Sequence, residues 1–289
     1  MTMRSFEYNE PTTLDEAVAL LKRCNGSASL FAGGTDLLVQ MKEHLRSPGQ
    51  LINIKKILGL DELVFDERDG LRIGALTTTR AVETSALVRQ RYASLGHAVT
   101  HFASIQVRNR ATVVGNVCRA SPSADTLPPL IADGAVLHLR GPDGTRVVAL
   151  EDFCTGPGKT VLGADELVTH LVVPPPPPHT GKVYLKHGRR VEMELATVGV
   201  AVTLTLEGGT CREVRIALAA VAPTPMRALR AEALLRHQVI SVPLLAAAAQ
   251  AASEEARPIG DVRGSADYRR RMVGVLTRRA LEQAMKEAS

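Results

Sequence analysis

Tryptophan is absent from these 289 residues, and four tyrosines and five phenylalanines are the whole aromatic complement. Stacking platforms for single-stranded nucleic acid are hard to build from so few rings. Long basic runs are missing as well. The net charge of +5 is dispersed among acids. That argues against a nucleic-acid tail and leaves an ordinary basic surface, or one that favours an anionic ligand or partner. Cysteine is scarce. Cys24, Cys118, Cys154 and Cys211 stand far apart with no C-x-x-C. A zinc or iron–sulfur site built by this chain alone is therefore not expected, and nothing marks the chain for secreted disulfides. Residues 1–6 lack the apolar stretch of a signal peptide, and the apolar run at 242–249 is too short to cross a bilayer. The sequence reads as soluble and cytoplasmic, with no membrane insertion.

Several catalytic signatures are also missing. Gly156-Pro-Gly-Lys-Thr160 ends like a P-loop, but Phe153 occupies the place of its first glycine. His97 and His101 lie one helical turn apart, yet Ala98 stands where a zincin needs glutamate. No nucleophile elbow occurs, and no Rossmann fingerprint follows a strand. Hydrolytic chemistry loses ground, and any flavin or nucleotide must be held by another fold.

What is present is a globular composition, 45% hydrophobic and 22% charged, long enough for two domains or one large one. Five consecutive prolines at 174–178 form the clearest boundary and read as a stiff, extended connector. Before them, strand and helix patterns alternate. A capped helix opens at 12–16. Short strands are expected at 29–32 and 51–54, and hairpins across 63–75 and 135–150. After them, 183–187, 198–206 and 214–220 read as a three-stranded antiparallel meander. Helices are expected at 227–237, 243–255 and 266–287. The whole is α+β.

Two segments carry the glycines that matter. Leu30-Phe31-Ala32-Gly33-Gly34-Thr35-Asp36-Leu37 lies between a strand and a helix. Paired glycines there let successive N–H groups face one concavity, as a phosphate needs, and the helix start adds a positive end. Thr35 offers a hydroxyl. Asp36 can accept from a hydroxyl or cap the helix. The second segment, Thr112-Val113-Val114-Gly115-Asn116, reads as an apolar run entering a glycine turn, followed by a small polar loop at 120–128. Taken alone, each reads more readily as an ordinary turn or surface loop.

Taken together and in order, these segments resemble the FAD-binding subunits of molybdenum hydroxylases. The resemblance spans nearly the whole chain. It includes Phe6-Glu-Tyr-Asn-Glu-Pro-Thr-Thr-Leu14, Ala32-Gly-Gly-Thr-Asp36, the run from Gln106 to Asn116, and Ala120-Ser-Pro-Ser-Ala-Asp125. In the second half it includes Tyr184-Leu-Lys-His-Gly-Arg-Arg190, Val221-Ala-Pro-Thr-Pro-Met-Arg227 and the run from Asp261 to Arg270. It implies a two-subdomain, vanillyl-alcohol-oxidase-like FAD-binding fold (PCMH-type) over 1–173, with subdomains of about 1–56 and 57–173. A C-terminal flavoprotein domain, a three-stranded sheet with helices, would follow over 179–289.

The resemblance also implies FAD on this chain, with 2Fe-2S clusters and molybdopterin in two partner subunits, and a dimer of heterotrimers. Residues 30–37 and 112–116 would form the two pyrophosphate loops. Asp125 would bond the ribityl or ribose region, and Phe102 and Val168 would be contacts. Lys186 would lie near the ring, where it either stabilises charge on reduced flavin or forms a surface salt bridge. No catalytic side chain is required. The family usually has a second glycine where this chain has Val114, which puts close backbone approach there in question. Cys118 alone stands where one relative carries a cysteine-rich insertion, so no cluster is expected in this chain. Asp36 replaces a serine associated with carbon monoxide dehydrogenases, which points away from that substrate. A stand-alone flavin oxidoreductase and a structural subunit that has lost flavin are the competing readings.

Overall fold

The computed structural model describes residues 3–190 and 193–289; Met1 and Thr2 of the expected first domain, and Val191 and Glu192 of the last, lie outside the described residues. Its first sheet is parallel, in the order β1-β3-β2, from β1 (Glu7–Asn9), β2 (Ala28–Phe31) and β3 (Gln50–Asn53). Parallel neighbours need crossover connections. Helices α1 (Leu14–Cys24) and α2 (Leu37–Lys42) lie in them. The start of α1 is fixed by its own sequence. The Thr13 hydroxyl accepts from the Glu16 N–H at 3.2 Å, while the Glu16 carboxylate accepts from the Thr12 N–H at 2.7 Å.

The second sheet is antiparallel, from β4 (Leu63–Asp66), β5 (Gly70–Gly74), β6 (Val136–Gly141), β7 (Gly144–Ala149) and β10 (Leu167–Val173). The small hairpin β8 (Cys154–Gly156) and β9 (Lys159–Thr160) precedes β10. The strand order β4-β5-β10-β6-β7 puts the last strand at the centre. Between β5 and β6 the chain leaves the sheet through α3 (Thr79–Thr84), α4 (Ala86–Arg91), α5 (Ala93–Thr100), α6 (Ile105–Arg108), α7 (Val113–Arg119) and α8 (Leu127–Ala132); α9 (Leu150–Phe153) follows β7.

The third sheet contains β11 (Thr180–His187), β12 (Val198–Glu207), β13 (Thr210–Ala219) and the two-residue β14 (Met226–Arg227). It therefore has four strands, not the three expected. Arg227 also leaves the expected helix, because it pairs with Ala217 across β13 and its guanidinium is bonded to Glu151 and Glu232. The helix begins later, as α10 (Leu229–Leu235), followed by α11 (Val242–Glu255) and α12 (Ala266–Ala288).

One apolar core runs through the first two sheets, including Val18, Ile52, Leu71, Leu127 and Leu171. It reaches Tyr184, Ala201 and Ala217 on one face of the third sheet. A second core fills the other face, where Val183, Val200 and Leu218 meet Ala248 and Leu281 of the helices. Alternation along β11 explains the division. Val183 and Leu185 serve the second core, while Lys182, Tyr184 and Lys186 share the opposite face.

Those three polar residues face a helix with a carboxylate at each end. Asp133, at the C-terminal end of α8, pairs with Lys182 at 2.6 Å and accepts from the Thr203 hydroxyl at 2.7 Å. Asp125, before the helix, pairs with Lys186 at 2.8 Å. The two aspartates stand on either side of the six-residue α8, and the two lysines stand on one face of β11. All four side chains are at least nine-tenths buried. Removing one partner of a buried pair leaves an uncompensated charge. Asp133→Ala should therefore cost about 3–5 kcal/mol of stability, read from the denaturant midpoint. An unchanged midpoint would contradict the joint described here.

Candidate functional site

The glycine segment after β2 is brought against the segment before α7. A methyl group added at Gly33 would lie 2.2 Å from the Arg110 carbonyl oxygen, so the two backbones touch there and only glycine fits. Gly34 is required for a different reason, since its φ is +72°. Among the described residues, the N–H groups of Gly33, Gly34, Thr35 and Asp36 donate to no protein acceptor. Four successive unpartnered donors on a half-exposed loop are a ready anion cradle. Leu30 and Phe31 belong to β2 and pair with Ile52 and Asn53, which anchors the loop; Leu37 opens α2.

Asp36 does not cap α2 as the sequence suggested. Its side chain makes no capping bond. It is engaged instead by Arg119 at 2.6 Å and by Gln40, which ties α2 to the end of α7.

Residues 112–116 are not the glycine turn expected from sequence. They are the start of α7, because the Thr112 hydroxyl accepts from the Gly115 N–H at 3.0 Å and caps the helix. The entry is pinned from outside: the Val113 N–H donates to Thr77 at 3.2 Å and the Thr79 N–H to Ala111 at 2.8 Å. Val113 and Val114 are buried in the first core, whereas Gly115 is exposed. The Val114 side chain therefore packs inward, and its own N–H donates to no acceptor among the described residues. Asn116 accepts from the Thr126 hydroxyl at 2.7 Å, joining α7 to the start of α8.

The small polar stretch at 120–128 is not an open surface loop. Ala124, Asp125 and Thr126 are buried, and α8 begins at Leu127. Both oxygens of Asp125 are engaged, Oδ1 by the Tyr184 hydroxyl at 2.7 Å and Oδ2 by Lys186. Burial pushes the Asp125 carboxyl above its ordinary value, against the opposing pull of the Lys186 charge. Burial, reinforced by Asp125, pushes the Tyr184 phenol well above its own. Lys186 also donates to the His101 carbonyl at 3.2 Å. It forms the salt bridge that was one of the two expected roles, but with a buried partner rather than at the surface.

Phe102, half-buried beside His101, offers its carbonyl to Arg108 at 2.9 Å. Val168 lies in β10 with its side chain in the first core, and the ladder bulges between it and His170. Burial pushes the Cys118 thiol up to about 12, which disfavours a thiolate ligand. His97 and His101 approach to 3.2 Å between Nε2 atoms, but among the described residues no group of three or more such side chains could hold a metal. A surface cleft lined by Ala222, Thr224, Arg230 and Arg257 includes none of these residues.

Sequence reasoning missed Tyr184, Arg119 and Arg110, whose carbonyl packs against Gly33. Tyr184 was legible in principle, since it shares a strand face with Lys186 two positions on. The others act through long-range contacts that no local pattern announces. Gly33→Ala should destabilise the chain by about 1–3 kcal/mol through overpacking against Arg110. Chemical denaturation checks this, and unchanged stability would mean that the two backbones do not touch in solution.

Residues 4–176 match the family described as the FAD binding domain in molybdopterin dehydrogenase, and residues 183–284 match the CO dehydrogenase flavoprotein C-terminal domain. The carbon monoxide dehydrogenase medium chain of Hydrogenophaga pseudoflava is 36% identical over 279 residues, 96% of each chain. A putative xanthine dehydrogenase FAD-binding subunit of Escherichia coli is 32% identical over 97% of this chain and 96% of its own length. Among solved structures, the carbon monoxide dehydrogenase of Hydrogenophaga pseudoflava superposes with a TM-score of 0.96 at 37% identity, covering 100% of both chains. Quinoline 2-oxidoreductase from Pseudomonas putida 86 superposes with 0.91 at 30% identity, again over 100% of both. With two family matches in order over most of its length, and a shared fold, the chain belongs to the FAD-binding medium subunits of the molybdenum hydroxylases.

Proposed function

We propose that this chain is the electron-relaying flavoprotein of a molybdopterin-dependent hydroxylase or dehydrogenase. In this reading it holds FAD between residues 30–37 and 112–116 and works between a 2Fe-2S partner subunit and an external acceptor. The observation that carries the reading is the run of four unpartnered N–H groups at 33–36, set against the start of α7. A diphosphate supplies the acceptors that such a run lacks. The donor set therefore fits FAD.

When bound, the flavin supplies exchange between one-electron and two-electron carriers. The protein's part is to bind, orient and tune. Gly33, Gly34, Thr35 and Asp36 present N–H groups to the diphosphate, and Gly115 keeps the facing surface bare. Asp125, held by Tyr184 and Lys186, meets the ribityl or ribose hydroxyls. Lys186 would lie beside the ring, and Phe102 and Val168 would be further contacts. No acid, base or nucleophile of this chain acts on a substrate, so the catalytic set is empty here.

The same reading divides the chain into 1–173, with subdomains of about 1–56 and 57–173, a linker at 174–178, and 179–289. It sets the protein in the cytoplasm, in a dimer of heterotrimers with 2Fe-2S and molybdopterin subunits. No helix among the described residues is long and apolar enough to cross a membrane. Loss of flavin through Val114 is disfavoured, because that side chain is only 3% exposed and packs in the core.

A visible absorption spectrum of the purified chain, followed by denaturation and identification of the released flavin, tests the reading. FAD and chain in equal amounts is the expected result. A chain that takes up no flavin, even from excess FAD, would sink it.

A further inference from the structure

Two imidazoles meet at the C-terminal end of α5, outside the two proposed flavin loops. His97 lies in the last turn of the helix, and His101, four residues on, is its C-cap. That spacing puts both side chains on one face. Their Nε2 atoms are 3.2 Å apart, with the rings inclined at 77°. His97 is exposed and His101 half-buried, so solvent reaches the pair. The backbone beneath them is held firmly. Leu95, Ala98 and Val99 are fully buried in the first core. Beyond the helix, the Arg108 guanidinium donates to the carbonyls of Thr100, Phe102 and Ala103 at 3.3, 2.9 and 3.1 Å, and Lys186 donates to that of His101.

In the absence of any ion, the contact is a hydrogen bond in which one ring donates and the other accepts. The same separation suits chelation. Two metal–nitrogen bonds of about 2.0–2.1 Å at a tetrahedral angle hold their nitrogens about 3.3 Å apart. The pair already stands at that distance on a fixed backbone. A metal ion can therefore take the place of the proton between the rings with little movement, the donor ring moving its proton to Nδ1.

We infer that His97 and His101 form a two-imidazole site for a divalent transition-metal ion of the zinc type, with water completing the coordination. Imidazole nitrogen suits zinc, copper and nickel, whereas calcium and magnesium take oxygen ligands. No group of three or more ligating side chains occurs among the described residues. A structural zinc centre uses four protein ligands, so this site would bind its ion reversibly. Once filled, it would add a further restraint to the turn at 100–103, whose His101 carbonyl receives Lys186. The inference does not depend on the flavin reading.

The full chain, purified without a polyhistidine tag, would be titrated calorimetrically with Zn2+ and with Mg2+, for the wild type, His97→Gln and His101→Gln. The wild type should take up Zn2+ and not Mg2+. Each variant should bind Zn2+ at least about tenfold more weakly, since losing a ligand costs no less than losing a group that merely orients one. Excess Zn2+ should also raise the denaturation midpoint of the wild type and leave that of the variants unmoved. Midpoints measured without metal show whether each variant folds. If His101→Gln is damaged, His97→Gln decides, because its ring is exposed and its loss spares the core. A wild type that takes up no Zn2+ would overturn the inference. So would a folded His97→Gln that binds Zn2+ as tightly as the wild type, since the ion would then sit elsewhere.

Discussion

The arrangement depends on how one short helix is clamped to one strand. Asp125 and Asp133 bracket α8, and Lys186 and Lys182 of β11 meet them. Each carboxylate is almost fully buried, so each needs its lysine, and each lysine needs its carboxylate. The two pairs hold β11 to either end of α8 at separate points. That fixes both the register and the direction of β11 against the middle of the chain.

The clamp is also what connects the fold to the proposed flavin site. Asn116 of α7 is bonded to Thr126, the residue next to Asp125. Arg119 of the same helix holds Asp36. A line of polar contacts therefore runs from the first loop through α7 and Asp125 to Lys186 on the third sheet. Tyr184 stabilises the middle of that line, since its phenol donates to Asp125 from within the first core. Gly199 makes room for it: a methyl group there would lie 3.2 Å from the phenol oxygen. Further along, Glu151 joins Arg215 and Arg227, adding a second polar connection to the third sheet.

Much of this was legible in the sequence because it is local. The caps of α1, the hairpin across 63–75, the alternation of β12 and β13, and the proline run each follow from neighbouring residues. The glycine pair at 33–34 announced a tight loop, though not the reason Gly33 is needed, which is Arg110 some eighty residues away. Residues 112–116 were misread as a turn because Gly115 suggested one. The Thr112 hydroxyl turns the same residues into a capped helix. The extra strand β14 was invisible, since two residues carry no periodicity and its stability comes from β13 and from Glu151 and Glu232. The partners of Asp36, Asp125 and Lys186 were illegible for the same reason: ion pairs between distant segments leave no pattern along the chain.

The buried Asp125–Lys186 pair is proposed to act on the flavin as one unit. A double-mutant cycle on FAD dissociation, using Asp125→Asn, Lys186→Met and the combination, tests it most directly. Strong non-additivity is expected, with a coupling of about 1–3 kcal/mol and a double variant little worse than either single one. Additive effects within about 0.5 kcal/mol would mean that the two residues act on the flavin independently, and would contradict it.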